Sequence, residues 1–505
     1  METSLSINRR VFLAGTSAFA LAPHLAAKKH ADKPNVIILW TDEQRADTMA
    51  VYGNQSIHAP NLNRLASESV MFQNAYVSQP VCTPSRSTVM TGLWPHASGC
   101  TANNIPLPLD IPCYPQLVND PDYRTGYFGK WHLGDEIFPQ HGFEEWESME
   151  DGYRSYYRDF RDKDAKSGYW HYLQDLGYKP DSGGYYSRGF AARLRLEHCK
   201  PKFLERKACD FIRRHRDEPF ILSVNFLEPH MPFYGPLNEE HSPEQIDLPL
   251  NHNDPLEENE PLRYRLLREH YRQNGFEGHD LMSQKGWRRL ICNYWGLVTQ
   301  VDVSVGAILK LVEDLDLTDN TIVVYTSDHG DMMGSHQLLA KTVMYQESVQ
   351  VPLLMRAPGV KPHVVRRPVS HIDLVPTLLS LVNYSIPSTL PGCSLAPLIR
   401  GENPDADPVF IEWNPAQRKS SASIPGVSDE EVERVNQAYT RTVVSPDGWK
   451  LCLSDNDKCQ LFNLHDDPGE TTNLFDDRRH RDVISRLTSK IHAWQESVDD
   501  VVDIG

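Results

Sequence analysis

Three runs of apolar, largely β-branched residues each end in a polar tip: "NVIILW" (35–40) runs into "TDEQ", "FILSVNFL" (220–227) into "EPH", and "TIVVYT" (321–326) into "SDHG". An apolar run of this length without polar alternation reads as a strand buried on both faces. Helical spacing separates these runs, over 60–70, 86–92, 202–216, 286–314 and 372–382. Strands alternating with helices predict an α/β fold with a mainly parallel central sheet. In such sheets ligands bind at the carboxyl ends of the strands, where all three tips carry Asp, Glu or His.

Two stretches break the alternation. Residues 140–200 are rich in Tyr, Gly and charge ("DGYRSYYRDF", "SGYWHYLQDLGY") and read as a surface-lying insertion outside the core. Residues 235–285 are polar and Pro-rich, a loop with one helix. Beyond about 385, "AYTRTVVSPDGWKLCLSDNDKCQLFNL" alternates and carries turn signals, which predicts an antiparallel meander closed by a helix over 478–497. The chain thus divides into a leader (1–28), a main domain (33–385) and a smaller C-terminal subdomain (386–505).

Composition narrows the partners. A formal charge of −17 over 505 residues disfavours nonspecific nucleic-acid binding. Arg9 and Arg10 precede an apolar stretch with Phe12 and Leu13, then small residues, which resembles a twin-arginine export signal and implies a periplasmic or secreted protein. No later segment is expected to reach membrane-spanning length. Nine cysteines without a CxxC pair argue against a zinc cluster. Cys452 and Cys459 flank "SDND" and either pair across a hairpin or stay free.

One motif changes the picture. "CTPSRSTVMTG" (82–92) resembles the signature of the type I sulfatases of the alkaline-phosphatase superfamily. Further segments resemble family landmarks in the same order: "APNLNRLASESVMFQNAYVSQPVC" (59–82), "GYFGKWHLG" (126–134), "EPHMPF" (228–233), "SDHGDMMGSHQLLAKTVMYQESVQVPLLM" (327–355) and "LFNLHDDPGETTNL" (461–474). The resemblance runs from about 34 to about 475. It implies an alkaline-phosphatase-like fold, a catalytic domain over 33–385, and hydrolysis of a sulfate monoester, on a saccharide in the bacterial carbohydrate sulfatases.

It also implies roles. Cys82 would be oxidised to formylglycine by a formylglycine-generating or radical maturation enzyme. The hydrated aldehyde offers one hydroxyl to attack sulfur and a second to expel the sulfate, an exit that plain Ser or Cys lacks. Arg86 would hold the modified side chain. Asp42 and Asp328, with His329 and Cys82, would bind a divalent cation, calcium before magnesium. Many members carry a second Asp after the first; here Glu43 stands there, a departure that still allows coordination. Lys130 and Lys341 suit the sulfate oxygens as compact charges. His132 is the base, and His230, with Lys341, the acid for the leaving oxygen. His336 would stand behind these.

Three other readings compete: a phosphonate or phosphate-diester hydrolase with the same centre, a choline-sulfate hydrolase, and a dead relative that binds sulfated glycans. The last would have lost a nucleophile, lysine or metal acid, and none is missing.

Overall fold

The structure, a computed structural model, describes residues 33–254, 259–415 and 424–504. The export-signal residues, 1–28, lie outside them. The central sheet has eight strands: β1 (Asn35–Asp42), β2 (Val70–Tyr76), β3 (Arg124–Gly129), β4 (Glu145–Glu147), β5 (Phe220–Pro229), β6 (Thr321–Ser327), β7 (Gln350–Arg356) and β8 (His363–Ser370). Their order is β4-β3-β5-β1-β6-β7-β2-β8. All pairings are parallel except the two made by β7. The fold is therefore α/β with a mainly parallel central sheet, as the sequence pattern predicted.

The three polar-tipped strands are neighbours: β1 lies between β5 and β6, with Trp40 opposite Asn225 on one side and Thr326 on the other. Every residue of β1 is buried. Its alternate residues serve two cores, Ile37 and Leu39 on one face, Val36, Ile38 and Trp40 on the other. This explains the unbroken apolar runs.

Among the helices are α1 (Pro60–Ser67), α2 (Cys82–Thr91), α3 (Gly168–Asp175), α4 (Lys200–Arg214), α5 (Gln284–Asp314), α6 (Leu374–Leu381) and α7 (Arg481–Ser497). Contrary to expectation, α5 is long and apolar enough to cross a membrane by length and composition. It is instead a core helix, with Leu290, Val298, Val301, Val305 and Ile308 buried against the sheet. Helix α2 begins four residues before its predicted start, at Cys82, and all ten of its residues are buried.

The 140–200 stretch departs from its reading. It does carry exposed residues, but Tyr169, Leu173, Ala191 and Leu194 join the core cluster. Tyr169 and Leu173 lie in α3, only eight residues long, and Ala191 in a four-residue helix, too short for periodicity to show.

The meander is a second, antiparallel sheet of β9 (Val409–Trp413), β10 (Thr440–Val444), β11 (Trp449–Ser454) and β12 (Gln460–Asn463), with α7 against β10 and β11. Cys452 and Cys459 are free. The β11–β12 register sets Cys452 opposite Gln460, so Cys459 is one residue out of step and its sulfur lies by the Ser454 amide at 3.4 Å. This sheet also braces the chain around Lys341. Lys450 pairs with Glu470 at 2.7 Å and donates to the Met344 carbonyl, while Glu470 accepts the Gln346 amide at 2.6 Å.

Candidate active site

The carboxyl ends of β1 and β6 meet the N-terminus of α2. From β1 come Asp42 and Glu43, from β6 Asp328 and His329, and from the first turn of α2 Cys82. The Cys82 Sγ lies 3.2 Å from His329 Nε2 and 3.8 Å from Asp42 Oδ1. His329 Nε2 is 3.5 Å from Asp328 Oδ1 and 4.0 Å from Asp42 Oδ1. Asp42, Asp328, His329 and Cys82 are fully or almost fully buried. The positive end of the α2 dipole falls on Cys82.

Arg86, one turn along α2, ties this group together. Its Nε donates to Asp328 and its Nη2 to Asp42, both at 2.8 Å; its Nη1 donates to the Lys130 carbonyl and to Asn225 Oδ1. A guanidinium is the one side chain that can fork in this way. Lys130 pairs with the same Asp42 carboxylate. Its approach needs the preceding Gly129, where φ is +123° and a Cβ would stand 1.9 Å from the Asn225 carbonyl oxygen. Lys341 donates to Glu43 Oε2 at 2.8 Å, and His230 Nε2 lies 3.3 Å from the same oxygen.

Electrostatics follow from this crowding. Burial alone would raise Asp42, but Lys130, His230, Arg86 and Lys341 hold it well below the usual carboxylate range. Burial pushes Glu43 up to about 8 against the pull of Lys341. Burial and Asp42 resist ionisation of the Cys82 thiol, yet Lys130, Lys341 and His329 bring it below its ordinary value. Burial opposes a charge on His329, but Asp328 and Cys82 push it up to about 9. Burial, with Lys130, keeps His132 neutral; burial, with Lys341, does the same for His230.

The carboxylates and imidazole of this cluster fit a divalent cation. Asp42, Cys82, Asp328 and His329 present ligand atoms within 4.8 Å of one another. His329 Nδ1 is 2.9 Å from the Gly330 carbonyl; donating there leaves Nε2 facing the carboxylates, able to ligate a cation that takes the place of its proton. Glu43 belongs to a second such cluster with Asp42 and His230, and its carboxyl is hydrogen-bonded to Asp331.

Glu43 and His132 have left-handed backbone, φ 69° and 57°, a conformation costing of order 1–3 kcal/mol in a non-glycine residue. Glu43 is held by its amide on Asp328 Oδ1, and His132 by its amide on Glu136 Oε2. His132 Nε2 lies 2.9 Å from Asn104 Oδ1, its Nδ1 is buried without a partner, and Tyr153 packs on its ring at 4.4 Å. With Nε2 as donor, Nδ1 keeps an unused lone pair, as a base requires. His336 stands farther off, bonded to Asp254 at 2.9 Å and stacked on Tyr345.

All the predicted site residues thus fall in one neighbourhood. Sequence reasoning missed Asn225, Asp331 and Tyr153. Asn225 binds Arg86 and, through Nδ2, the Tyr127 hydroxyl; its signal was a lone amide in an apolar strand. Asp331 accepts the Met333 and Ala340 amides and so shapes the turn that carries Lys341.

Comparison with known proteins agrees with this geometry. The family model "Sulfatase" matches residues 34–384, and "N-sulphoglucosamine sulphohydrolase, C-terminal" matches 334–497. The chain is 28% identical over 486 residues to the "Uncharacterized sulfatase YidJ" of Escherichia coli K12, covering 93% of this chain and 88% of that one. It is 25% identical to an "N-acetylglucosamine-6-O-sulfatase" of Bacteroides thetaiotaomicron, covering 94% and 88%. Among solved structures, the phosphonate monoester hydrolase SpPMH of Silicibacter pomeroyi superimposes with a TM-score of 0.76 at 23% identity, covering 94% and 98%. BT4656, in complex with its substrate D-glucosamine-2-N,6-O-disulfate, gives 0.74 at 22%, covering 93% and 99%. Motif, geometry and matched length lead to one conclusion: this chain belongs to the sulfatase family and is a sulfuric ester hydrolase.

Proposed function

We propose that the protein hydrolyses a sulfate monoester on a saccharide, with formylglycine made from Cys82 by a dedicated maturation enzyme and a calcium ion held by Asp42, Glu43, Asp328 and His329. The observation that carries this reading is Cys82 at the N-terminus of α2, against Asp42 and His329, with Arg86 bridging Asp42 and Asp328. When bound, the cation would neutralise sulfate charge and favour an ionised nucleophile. The hydrated aldehyde would supply two hydroxyls on one carbon.

The chain's own groups do the rest. Lys130 and Lys341 meet the non-bridging oxygens, in a water-poor site where point charges act strongly. Arg86 keeps the carboxylates and the Lys130 backbone in register. His132, through its unpaired Nδ1, takes a proton when sulfate leaves. Burial and Lys341 favour the neutral form of His230. An arriving anion favours its charged form, as donation to the leaving oxygen requires. Calcium is preferred to magnesium because the protein itself offers several ligands, which suits the larger and more adaptable shell.

The saccharide reading is supported by the 25%-identical N-acetylglucosamine-6-O-sulfatase. The phosphonate hydrolase that shares the fold supports a second reading, because the fold alone does not choose between sulfur and phosphorus. Purified enzyme assayed on sulfated saccharides, phosphonate monoesters and phosphate diesters separates them; faster turnover of a phosphorus ester would overturn the first. The peptide containing Cys82 should be lighter by roughly 18 Da in matured enzyme, the arithmetic of a thiol becoming an aldehyde.

We also propose export through the twin-arginine signal. The double change Arg9→Lys, Arg10→Lys should strand the protein in the cytoplasm, and normal export of that variant would contradict it.

A further inference from the structure

The 140–200 stretch places a cation on the leaving-group side of the site. Arg188, in a short helix (Arg188–Ala191), donates from Nε to Glu150 Oε2 at 2.6 Å and from Nη2 to the Tyr153 hydroxyl at 2.7 Å. Glu150 also pairs with Lys200, so one carboxylate serves two cations and the trio retains a net charge of +1. Glu150 and Lys200 are buried, but the Arg188 side chain is 31% exposed. Its Nη1 donates to no other group among the described residues. The same Tyr153 packs on His132. Arg188 also lines, with Lys200, Glu228, His230 and Tyr234, a narrow surface cleft. Burial pushes Glu228, the other carboxyl there, up to about 7.

The scissile sulfate already has Lys130 and Lys341. A further guanidinium, pre-aligned by a buried carboxylate and a tyrosine hydroxyl, sits beside the two histidines that serve proton transfer. A neutral sugar would need only neutral donors there. We propose that Arg188 is a specificity residue that binds a second anionic group, a carboxylate or another sulfate, on the saccharide carrying the scissile sulfate. This rests on the sulfatase reading and deepens it: the preferred substrate is doubly charged. Glu150 and Tyr153 position the guanidinium and contact no substrate.

The test uses full-length matured enzyme and three matched substrates: a monosulfated neutral sugar, its sulfated uronate counterpart and its disulfated counterpart. Wild type should favour at least one doubly charged substrate by about tenfold or more in kcat/KM, the range of a charge-assisted bidentate contact. Which one is favoured identifies the group. Arg188→Gln should lose about tenfold more on that substrate than on the neutral sugar, mainly in KM. Arg188→Lys should recover part of the difference. A merely structural role would lower all three rates together. Equal treatment of the three substrates by wild type, or a uniform loss in Arg188→Gln, would overturn the inference. If wild type hydrolysed none of them nor any other sulfate ester, the sulfatase reading itself would fail, which is a different result.

Discussion

Two of the places where this protein buries charge are built differently. Under the second sheet, Arg441 and Asp500 form a bidentate pair at 2.7 and 3.0 Å, and the remaining guanidinium donors go to the Trp413 and Thr440 carbonyls and to Asn414. Lys450 is filled likewise by Glu470, Met344 and Gln346. At the carboxyl ends of the central sheet, Arg86, Lys130 and Lys341 share Asp42, Asp328 and Glu43, yet His132 Nδ1 remains buried without a partner among the described residues. A complete network stabilises a fold; an incomplete one awaits a ligand.

The contrast can be broken first at the nucleophile. Cys82→Ser should lower turnover by about 10⁴-fold or more, because serine attacks once and has no second hydroxyl to expel sulfate. Mass spectrometry should find a gain of roughly 80 Da, one SO3, on the serine variant and none on Cys82→Ala. Sustained turnover by the serine variant at wild-type rates would exclude the formylglycine route.

Next in size is Asp42→Asn, expected to lower turnover by about 10³-fold and to empty the metal site in elemental analysis. Chelated wild-type enzyme should lose activity and regain it with calcium more than with magnesium; full activity without metal would refute the cation site.

At the second sheet the outcome should differ in kind. Asp500→Ala leaves Arg441 buried without its counter-ion and should cost about 3–5 kcal/mol in chemical denaturation. The kcat of the folded fraction should change by about twofold or less, since no site residue moves. A large fall in kcat with intact stability would erase the distinction.

The smallest effect sharpens it. His371 is fully buried behind the site, 2.9 Å from Thr326 Oγ1, and burial lowers it to about 3. The folded value lies below the unfolded one, so folding favours the neutral ring. That stability is complete above an unfolded pKa of about 6.5 and is lost as pH falls toward the folded value. The loss between pH 6.5 and 5 is about 2 kcal/mol. His371→Asn should flatten that part of the stability–pH curve; an unchanged slope would assign it to other groups.

Much of this arrangement follows from local pattern. The strands ending at Asp42, Pro229 and Ser327 are runs that only a doubly covered sheet accommodates, and their tips carry much of the chemistry. Other parts depend on long-range contact. Nothing near Asn225 announces its bond to Arg86, 139 residues away. The reversed strand β7 reads like its parallel neighbours, because direction leaves no trace in apolar composition. Tyr153 and Arg188 sit in a stretch whose aromatic and charged residues suggest a surface, and only tertiary contact with His132 and Glu150 turns them inward.

The clasp of Lys450 and Glu470 on the chain at 344–346 has a consequence for biosynthesis. On the ribosome, the eight strands and Cys82 emerge long before residues 450–470 do. Until those arrive, the turn bearing Lys341 lacks its brace, and a nascent or C-terminally clipped chain would hold a finished sheet around a slack lysine. The setting of the turn that bears Lys341 thus waits on the docking of residues 450–470.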